Sequence, residues 1–502
     1  MRTHRFLLMF LSCVWLTNAS VSSYSEAATH RIRSPRPDRT VFVHLFEWQW
    51  KDVARECETF LGPKGYAAVQ VSPPNEHAVL PKYPWFQRYQ PVSFQLISRS
   101  GNRAEFIDMV QRCKAVGVDI YVDAVLNHMS WVNRSGQTKF GSAGTPYEEY
   151  SYGNIFRPSD FHRCGRNGDD SVQNYQDRWE VQNCNISTCA DLKTESEHVR
   201  GILASYLDDL TKIGVAGFRI DASKHISSYD LQAIFGKTNR NFYAYQEVID
   251  FGTEPIRSEE YFQTGDVSEF RYARNIAHVF NGGKLAWLQN FGSNWGFIPG
   301  YKAVVFLDNH DNQRGHGGGG DVLTHKDGQR YALASVFMLA WPYGYPQVMS
   351  SYRFSDPSAG PPAFSDGRTK PVFMNGASTC GGQDWLCEHR WTAIANMVAF
   401  RNYTQIAGDN ISKWWTNDNN AIAFARGNRG FVVINNENHN LNRWFDTGLP
   451  AGEYCDVISG QPVKRSNRCS GPVIKVNERG WAEIRVTPFS AIAIHGGARI
   501  IF

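Results

Sequence analysis

GFRIDASKH, at residues 217–225, is the stretch that decides the fold. It begins as a short apolar run, which predicts a buried β-strand, and it ends in a cluster of charged side chains. Polar residues at the carboxyl ends of parallel barrel strands are candidates for function, because the active sites of such barrels form there. Three other segments also close an apolar strand with polar residues: DAVLNH (123–128), YQEVID (245–250) and FLDNHD (306–311).

Eight short apolar runs alternate with helical patterns, such as Glu105–Ala115 and Val199–Lys212, over most of the chain. This alternation indicates βαβ units with a parallel sheet, and eight strands are the number of a closed (β/α)₈ TIM barrel of the α/β class. The predicted strands are Val41–Phe46, Ala67–Val71, Asp119–Leu126, Gly217–Ile220, Tyr243–Gln246, Val267–Phe270, Ala303–Leu307 and Gln347–Met349.

Two intervals of the chain depart from this alternation of strands and helices. Residues 127–193 have little helical period and much Gly, Asn, Asp and Ser, which predicts a loop-rich insertion after the third strand. From residue 408 to residue 502 we predict an antiparallel β-sandwich domain, and residues 30–126 and 194–407 are left for the barrel. The strands predicted in this last domain are Ala421–Ala425, Phe431–Asn435, Val473–Val476, Ala482–Val486 and Ala491–His495.

The amino terminus is typical of a secretory signal. Arg2 and Arg5 precede an apolar run at 6–16, and small residues follow near Ala19. We predict a signal peptide at 1–19, with cleavage as late as residue 28 as the alternative. The run is too short to span a bilayer, and no later stretch of about 20 apolar residues follows. We therefore expect a secreted protein that has no membrane partner and is a monomer by default.

Composition limits the other partners. The chain has 502 residues and a net charge of only +4, which argues against nucleic acid as a partner, because nucleic-acid binding needs a concentrated basic face. Aromatic residues make up 14% of the chain, with 15 Trp and 22 Tyr. Such residues also suit the apolar faces of sugar rings.

Together the four segments resemble the signature regions of the α-amylase family of glycoside hydrolases, in order and in spacing. The resemblance extends from Val41 to about His495. It is greatest to the animal members, through HLFEW (44–48), RYQP (88–91), NHDNQRGHG (309–317) and GEYCDVIS (452–459). It implies endo-hydrolysis of the internal α-1,4 bonds of a polysaccharide, starch or glycogen.

The resemblance assigns three catalytic acids. Asp221 matches the nucleophile, Glu247 the general acid/base, and Asp311 the carboxylate that stabilises the transition state. A retaining glycosidase needs an ionised carboxylate to attack the anomeric carbon and a protonated carboxyl about 5–5.5 Å away to protonate the leaving oxygen. Glu247 must therefore keep a raised pKa near neutral pH.

Substrate contacts follow from the same resemblance. Trp85 and Tyr89 match aromatic residues that stack glucose rings, and Phe86 stands where animal members commonly have a second Trp. The other implied contacts are Gln90, His128, Tyr175, Arg219, Lys224, His225, His310 and His316.

Chloride is implied as an activator. Arg219, Asn309 and Arg353 match the chloride-binding residues of the animal members. Two guanidinium groups inside a barrel are costly without a counter-anion, and a nearby chloride would favour the protonated form of Glu247. The alternative is that Arg219 pairs with carboxylates of the barrel.

Calcium is implied as a structural ion. Asn127 and Asp191 match its side-chain ligands, and His225 matches a backbone-carbonyl ligand. Gln182 stands where the family often has Arg, but that ligand is a main-chain oxygen. Calcium prefers such oxygen ligands, and here it would tie the insertion to the strand that carries Asp221.

Nine cysteines remain once Cys13 is assigned to the signal, so at least one is unpaired within the chain. The resemblance implies that Cys189 is left over and that the pairs are Cys57–Cys113, Cys164–Cys184, Cys380–Cys387 and Cys455–Cys469. Sequons occur at Asn133, Asn185, Asn402 and Asn410.

Two alternatives to an endo-amylase remain. α-Glucosidases and transglycosylases share the four segments, although the animal-type C-terminal domain and the Gly-rich loop at 317–320 favour endo-hydrolysis. A non-catalytic carbohydrate-binding or transporter-associated protein is the second alternative. Such proteins typically lose catalytic acids or carry a membrane helix, and this chain keeps all three acids.

Overall fold

The computed structural model describes residues 38–131, 138–317, 320–463 and 466–500. The predicted signal peptide at 1–19 and the sequon at Asn133 therefore lie outside the described residues. Within the described part of the chain, no helix is both long enough and apolar enough to cross a membrane.

Eight parallel strands close into a barrel, as predicted. Each strand end lies within two residues of its predicted position. The eighth strand closes the barrel on the first, where Gln347 is in parallel register with Phe42. The strands, numbered β1–β8 in chain order, are Phe42–Leu45, Ala68–Val71, Asp119–Val125, Gly217–Asp221, Tyr243–Gln246, Asp266–Ser268, Ala303–Val305 and Tyr345–Ser350.

Helices follow the strands along the chain and pack their buried side chains into the main core. The helix predicted at 105–115 begins earlier, at Arg103, because Asn102 caps it. The Asn102 side chain accepts from the Glu105 N–H at 3.1 Å, and the Glu105 carboxylate accepts from the Asn102 N–H at 3.0 Å. The principal helices of the barrel are Trp50–Glu56, Arg103–Ala115, Glu197–Ile213, Ser228–Gly236, Phe270–Gly282, Gln329–Ala340 and Thr392–Thr404.

The barrel interior has an aromatic layer and a polar layer. The aromatic layer lies toward the amino ends of the strands and contains Phe42, Tyr121, Tyr243 and Tyr345. Buried polar side chains need partners inside the protein, so a layer of them is costly unless it serves a purpose. The buried polar residues nearer the carboxyl ends of these strands include His44, Gln70, Asp123, Arg219 and Gln347.

The insertion after β3 is built from short elements. His128–Trp131 pairs antiparallel with Cys189–Asp191, which brings the two ends of the insertion together. A three-stranded sheet and the helix Arg178–Asn183 lie between them in the chain. The strands of that sheet are Lys139–Phe140, Pro146–Glu148 and Ser151–Tyr152.

The carboxyl-terminal domain consists of antiparallel sheets, as predicted. A four-stranded sheet contains Ile411–Thr416, Ala421–Arg426, Gly430–Asn435 and Ser490–His495. Its Phe431 and Val433 pack against Phe445 and Ile484 of a second sheet in a separate apolar core. The remaining strands are Leu441–Asp446, Gly452–Cys455, Pro462–Val463, Arg468–Cys469, Val473–Val476, Trp481–Val486 and Arg499–Ile500.

The four disulfides that the resemblance implies are present, and Cys189 is free and buried. One sequon is unsuited to glycosylation in the folded protein. Asn185 is fully buried, and its side-chain amide donates to the Tyr150 hydroxyl at 3.0 Å. Asn410 is exposed.

Candidate active site

The parallel direction of the strands brings the predicted acids to one rim of the barrel. Asp221 is the last residue of β4, and Glu247 comes directly after β5. Asp311 lies in the loop that follows β7. Carboxyl ends of parallel barrel strands all open on the same face, so three distant segments form one site.

Arg219 is the centre of this site. Its Nη1 donates to Asp123 Oδ1 at 2.6 Å and to Asp221 Oδ1 at 2.8 Å, while its Nη2 lies 2.8 Å from Glu247 Oε1. All four residues are buried. The guanidinium thus pairs with barrel carboxylates, which is the alternative to an anion site around Arg219.

The turn after β4 fixes the position of Glu247 relative to Asp221. Ala222 has the left-handed backbone conformation, with φ 49°. Its backbone N–H donates to Glu247 Oε2 at 2.8 Å. The residue after Asp221 therefore holds the carboxyl of Glu247 directly.

The loop after β7 holds Asp311 through its backbone. The carbonyl of Asp311 accepts from Arg314 N at 2.9 Å and from His316 N at 3.0 Å. The N–H of Asp311 donates to Asn309 Oδ1 at 3.0 Å. Its carboxylate lies 3.3 Å from His310 Nε2. Burial holds the pKa of His310 well below its ordinary value, so this imidazole is neutral.

Burial and the neighbouring charges shift the pKa values of the aspartates in this site. Burial raises the pKa of Asp221 and of Asp123, and the charge of Arg219 opposes this rise. Burial, followed by repulsion from Glu247, raises the pKa of Asp311 to about 7. Burial therefore favours the protonated forms of Asp123, Asp221 and Asp311, and the charge of Arg219 opposes it at all three.

A cleft of about 720 Å³ opens above these acids. Tyr89 is fixed at its floor, since its hydroxyl donates to Asp123 Oδ2 at 2.9 Å and its ring stacks on His310 at 4.8 Å between centroids. Thirteen predicted site residues line the cleft: Trp85, Phe86, Tyr89, Gln90, His128, Tyr175, Asp221, Lys224, His225, Glu247, His310, Asp311 and His316.

Other lining residues escaped prediction. They are Trp131, Gln176, Ile186, Ser187, Cys189, Ala222, Ile249, Phe251, Glu254 and Gly317. Trp131 is 52% exposed, but the sequence shows only a tryptophan within the loop-rich insertion and not that it faces the cleft. The free Cys189 gives no signal either, because buried thiols are common in cores.

The predicted chloride set does not assemble. Arg353 lies beyond the end of β8 and is exposed, and its Nε donates to the Gly382 carbonyl at 2.9 Å. The buried polar residue that β8 supplies is the uncharged Gln347, whose amide bonds to Gln70. The prediction that Arg353 converges on Arg219 is therefore wrong.

Asn309 is held in place by the backbone of the loop after β7. Its side-chain Oδ1 accepts from the backbone of Asp311 and of Asn312, at 3.0 and 2.8 Å. This amide shapes the loop after β7. The residues present do not fit the implied chloride, and we derive no step through it.

The residues predicted to bind calcium lie at or next to two side-chain contacts. Asn127 Nδ2 donates to Asp191 Oδ1 at 3.1 Å, and both side chains are buried. The His225 ring lies 2.9 Å from the carbonyl of Val181, the residue before Gln182, so the turn after β4 adjoins the helix of the insertion. The side chains of Asn127 and Asp191 and the main chain carry oxygen atoms of the kind that calcium prefers, so the residues present fit the implied ion.

A second group could hold a metal ion. His44, Asp123 and His310 offer ligand atoms that all lie within 4.8 Å of one another. Both oxygens of Asp123 already accept hydrogen bonds, from Arg219, Gln70 and Tyr89. Two imidazoles do not suit calcium, and the neighbouring guanidinium disfavours any cation there.

A parallel barrel with paired carboxyls beneath an open cleft has the architecture of a glycoside hydrolase. Comparison with known proteins defines the class further. Residues 79–255 match the family described as alpha amylase, catalytic domain, and residues 414–497 match the alpha amylase C-terminal all-beta domain.

Curated relatives match along most of the chain. A pancreatic alpha-amylase of Struthio camelus is 46% identical, over 93% of this chain and 99% of its own. The pancreatic alpha-amylase of Homo sapiens is 45% identical, over 92% of this chain and 95% of its own. The chain belongs to the α-amylase family of glycoside hydrolases.

A solved structure of an alpha-amylase is similar to this chain over most of its length. Alpha-amylase I of Eisenia fetida, as a glutamate-to-glutamine mutant in complex with maltohexaose, is 42% identical. It superposes with a TM-score of 0.85, over 93% of this chain and 99% of its own.

Proposed function

We propose that this chain is a secreted, endo-acting, retaining α-amylase that hydrolyses internal α-1,4 bonds of starch and glycogen. The observation that carries the proposal is the shared contact of Asp221 and Glu247 with one guanidinium, beneath a cleft lined by aromatic residues. Two carboxyls on one guanidinium are close enough for the spacing of about 5–5.5 Å that retention requires.

The first step forms a covalent bond to the enzyme. The Asp221 carboxylate attacks the anomeric carbon, the bond from that carbon to the leaving oxygen breaks, and Glu247 gives its proton to that oxygen. In the second step water attacks the same carbon, its proton passes to Glu247, and Asp221 leaves as a carboxylate. Two inversions give net retention at the anomeric carbon.

Neighbouring residues position the sugar. Asp311 and His310 adjoin at 3.3 Å and hold hydroxyls of the sugar that is cleaved. His128 contributes a third polar contact, its ring fixed by the Tyr89 carbonyl at 3.0 Å. Trp85 and Tyr89 give the glucose rings apolar surfaces to stack on.

We infer that calcium is held by Asn127 and Asp191 with main-chain oxygens of Gln182 and His225. The ion would supply no chemistry to the reaction. It would fix the insertion against the turn after β4, which carries Asp221. The division into barrel residues 30–126 and 194–407, insertion 127–193 and C-terminal domain 408–502 is part of the same proposal.

Export is the remaining part of the proposal. Four disulfides form within the described residues, and such bonds persist in oxidising compartments. The signal peptide proposed for residues 1–19 accounts for export.

Product analysis separates the alternatives. The chain is incubated with soluble starch, and the products are separated by size at early times. A mixture of maltooligosaccharides supports endo-hydrolysis, whereas glucose alone indicates an α-glucosidase, and elongated or branched products indicate a transglycosylase. Asp221→Asn is the matched control, because an uncharged isostere cannot attack the anomeric carbon. Absence of any reaction in the parent chain supports a non-catalytic protein.

A further inference from the structure

Two tryptophans of the C-terminal domain lie on the outer surface of a sheet. Trp444 is 51% exposed and Trp481 is 40% exposed. Their strands, Leu441–Asp446 and Trp481–Val486, pair antiparallel with Asp446 directly opposite Trp481. Because Trp444 and Asp446 share a face of their strand, the two tryptophans are diagonal neighbours on one face, at about 7–8 Å.

The opposite face of the same strands already supplies the core. Phe445, Ala482 and Ile484 are at most 4% exposed and pack within the second apolar core. The two indoles are therefore not needed to hold the sheet together. Two exposed indoles side by side on one face form a contiguous apolar patch, which is a candidate binding site.

Polar side chains surround the two indoles. Glu483 is opposite Trp444, and Asn442 is opposite Arg485 on the same face. We propose that this surface, the Trp444–Trp481 face, is a second binding site for an α-glucan chain, separate from the cleft. It comprises Asn442, Trp444, Asp446, Trp481, Glu483 and Arg485.

The chemistry of the face selects this ligand. Glucose rings have apolar faces that stack on indoles and hydroxyls at their edges that bond to amides, carboxylates and guanidinium groups. Charges of both signs do not favour a polyanion. Two half-exposed indoles among charged residues fall far below the roughly 800 Å² that each partner of a stable protein complex buries.

The inference rests on the proposed function only for the class of ligand. A polymer held at this face is present at a raised effective concentration for the cleft, since both sites belong to one chain. The effect requires a substrate long enough, or a particle large enough, to contact both sites. Short maltooligosaccharides are expected to gain nothing.

Adsorption to granular starch tests the face. All proteins in this experiment carry Asp221→Asn, so that the granules are not digested. The adsorption constants of Trp444→Ala, Trp481→Ala and the double variant are compared with that of the protein without these changes. We expect the adsorption constant of the double variant to fall about tenfold or more, because it loses both surfaces on which glucose rings stack. Trp444→Phe should keep most of the binding.

The matched control is Tyr301→Ala, an 80% exposed aromatic residue just before β7, at the end of the barrel opposite the cleft. Its adsorption should equal that of the parent, and all variants should melt at the parent's temperature. With Asp221 restored, kcat/KM for maltopentaose should be unchanged in the double variant, while release of sugar from granules falls. If no substrate is hydrolysed by the parent, the proposed function fails but adsorption still tests the face.

Three results would overturn the inference. One is unchanged adsorption of the double variant. Another is an equal loss in Tyr301→Ala. The third is self-association of the parent that the double variant abolishes while adsorption stays constant, because the face would then bind a second copy of the chain.

Discussion

Nη2 of Arg219 lies 2.8 Å from Oε1 of Glu247, inside the barrel and below the cleft. The same guanidinium binds Asp221 through Nη1 at 2.8 Å. One cation therefore touches both carboxyls that a retaining mechanism needs. Its charge lowers the pKa of Asp221, against the effect of burial.

Arg219→Met removes this cation and keeps an apolar stem. Arg219 lowers the pKa of Asp221, so its loss raises that pKa, and the nucleophile is then ionised only at higher pH. We expect the acidic limb of the kcat/KM profile to move to higher pH. We also expect the variant to melt at a lower temperature, because removing one partner of a buried ion pair costs about 3–5 kcal/mol of stability.

The control is Arg103→Met, which breaks an exposed pair with Asp209 at 2.6 Å. Exposed pairs contribute little, so its profile should match the parent's. An acidic limb that stays in place in Arg219→Met contradicts the role given to Arg219.

Asp311→Asn tests the electrostatics of the cleft through stability. Burial raises the pKa of Asp311 to about 7, above its value in the unfolded chain. The folded state therefore holds a proton that the unfolded state has lost, and the stability of the parent falls as pH rises from about 4 to 7. Asparagine mimics the protonated acid at every pH. As the pH rises from 4 to 8, we expect the free energy of unfolding of the variant to increase relative to that of the parent by on the order of 1–4 kcal/mol.

Melting temperatures at a series of pH values measure this gain. Asp321→Asn, an exposed acid in the described part of the chain, serves as the control and should show no such trend. A difference between Asp311→Asn and the parent that shrinks with rising pH contradicts the predicted direction.

Most of the barrel could be predicted from sequence because its strands are short, apolar and β-branched, with helices between them. The acids followed from their position at strand ends. Arg353 could not be placed in the same way. It comes only three residues after β8, but the chain has left the barrel there, and a motif in one dimension does not show where a side chain points.

The insertion was predicted only as irregular structure. The prediction of which of its residues line the cleft was therefore incomplete. Trp131 and Ser187 reach the cleft from segments without periodicity, where no sequence rule fixes the direction of a side chain. The polar layer around Gln70 and Gln347 was missed for a different reason. A single amide within an apolar strand gives no sign of the partner it meets across the barrel.

Calcium removal tests the proposed metal site. Dialysis against a strong calcium chelator should lower the melting temperature of the parent by several degrees, and added calcium should restore it, because the ion binds only the folded chain. Asp191→Asn should melt lower from the start and respond little to chelation. An unchanged melting temperature of the parent after chelation would contradict the proposed calcium site.

Arg353→Ala tests the corrected position of this arginine. Arg353 is exposed, and the hydrogen bond described for its side chain goes to a loop carbonyl. The variant should therefore keep the parent's activity and the parent's response to added chloride. Assays in dialysed enzyme, with and without chloride, measure both. A chloride response that the parent has and the variant lacks would return Arg353 to an anion site.

The most direct test concerns the bond that Asp221 is proposed to form. A fluorinated maltosyl fluoride, which glycosylates retaining enzymes but leaves slowly, is added to the chain, and the digested protein is analysed by mass spectrometry. The account predicts that Asp221 displaces the anomeric fluoride, which adds one fluorinated maltosyl group to its carboxyl, and that Asp221→Asn gains none. An adduct on another residue, or an inverted product formed without any adduct, would contradict it.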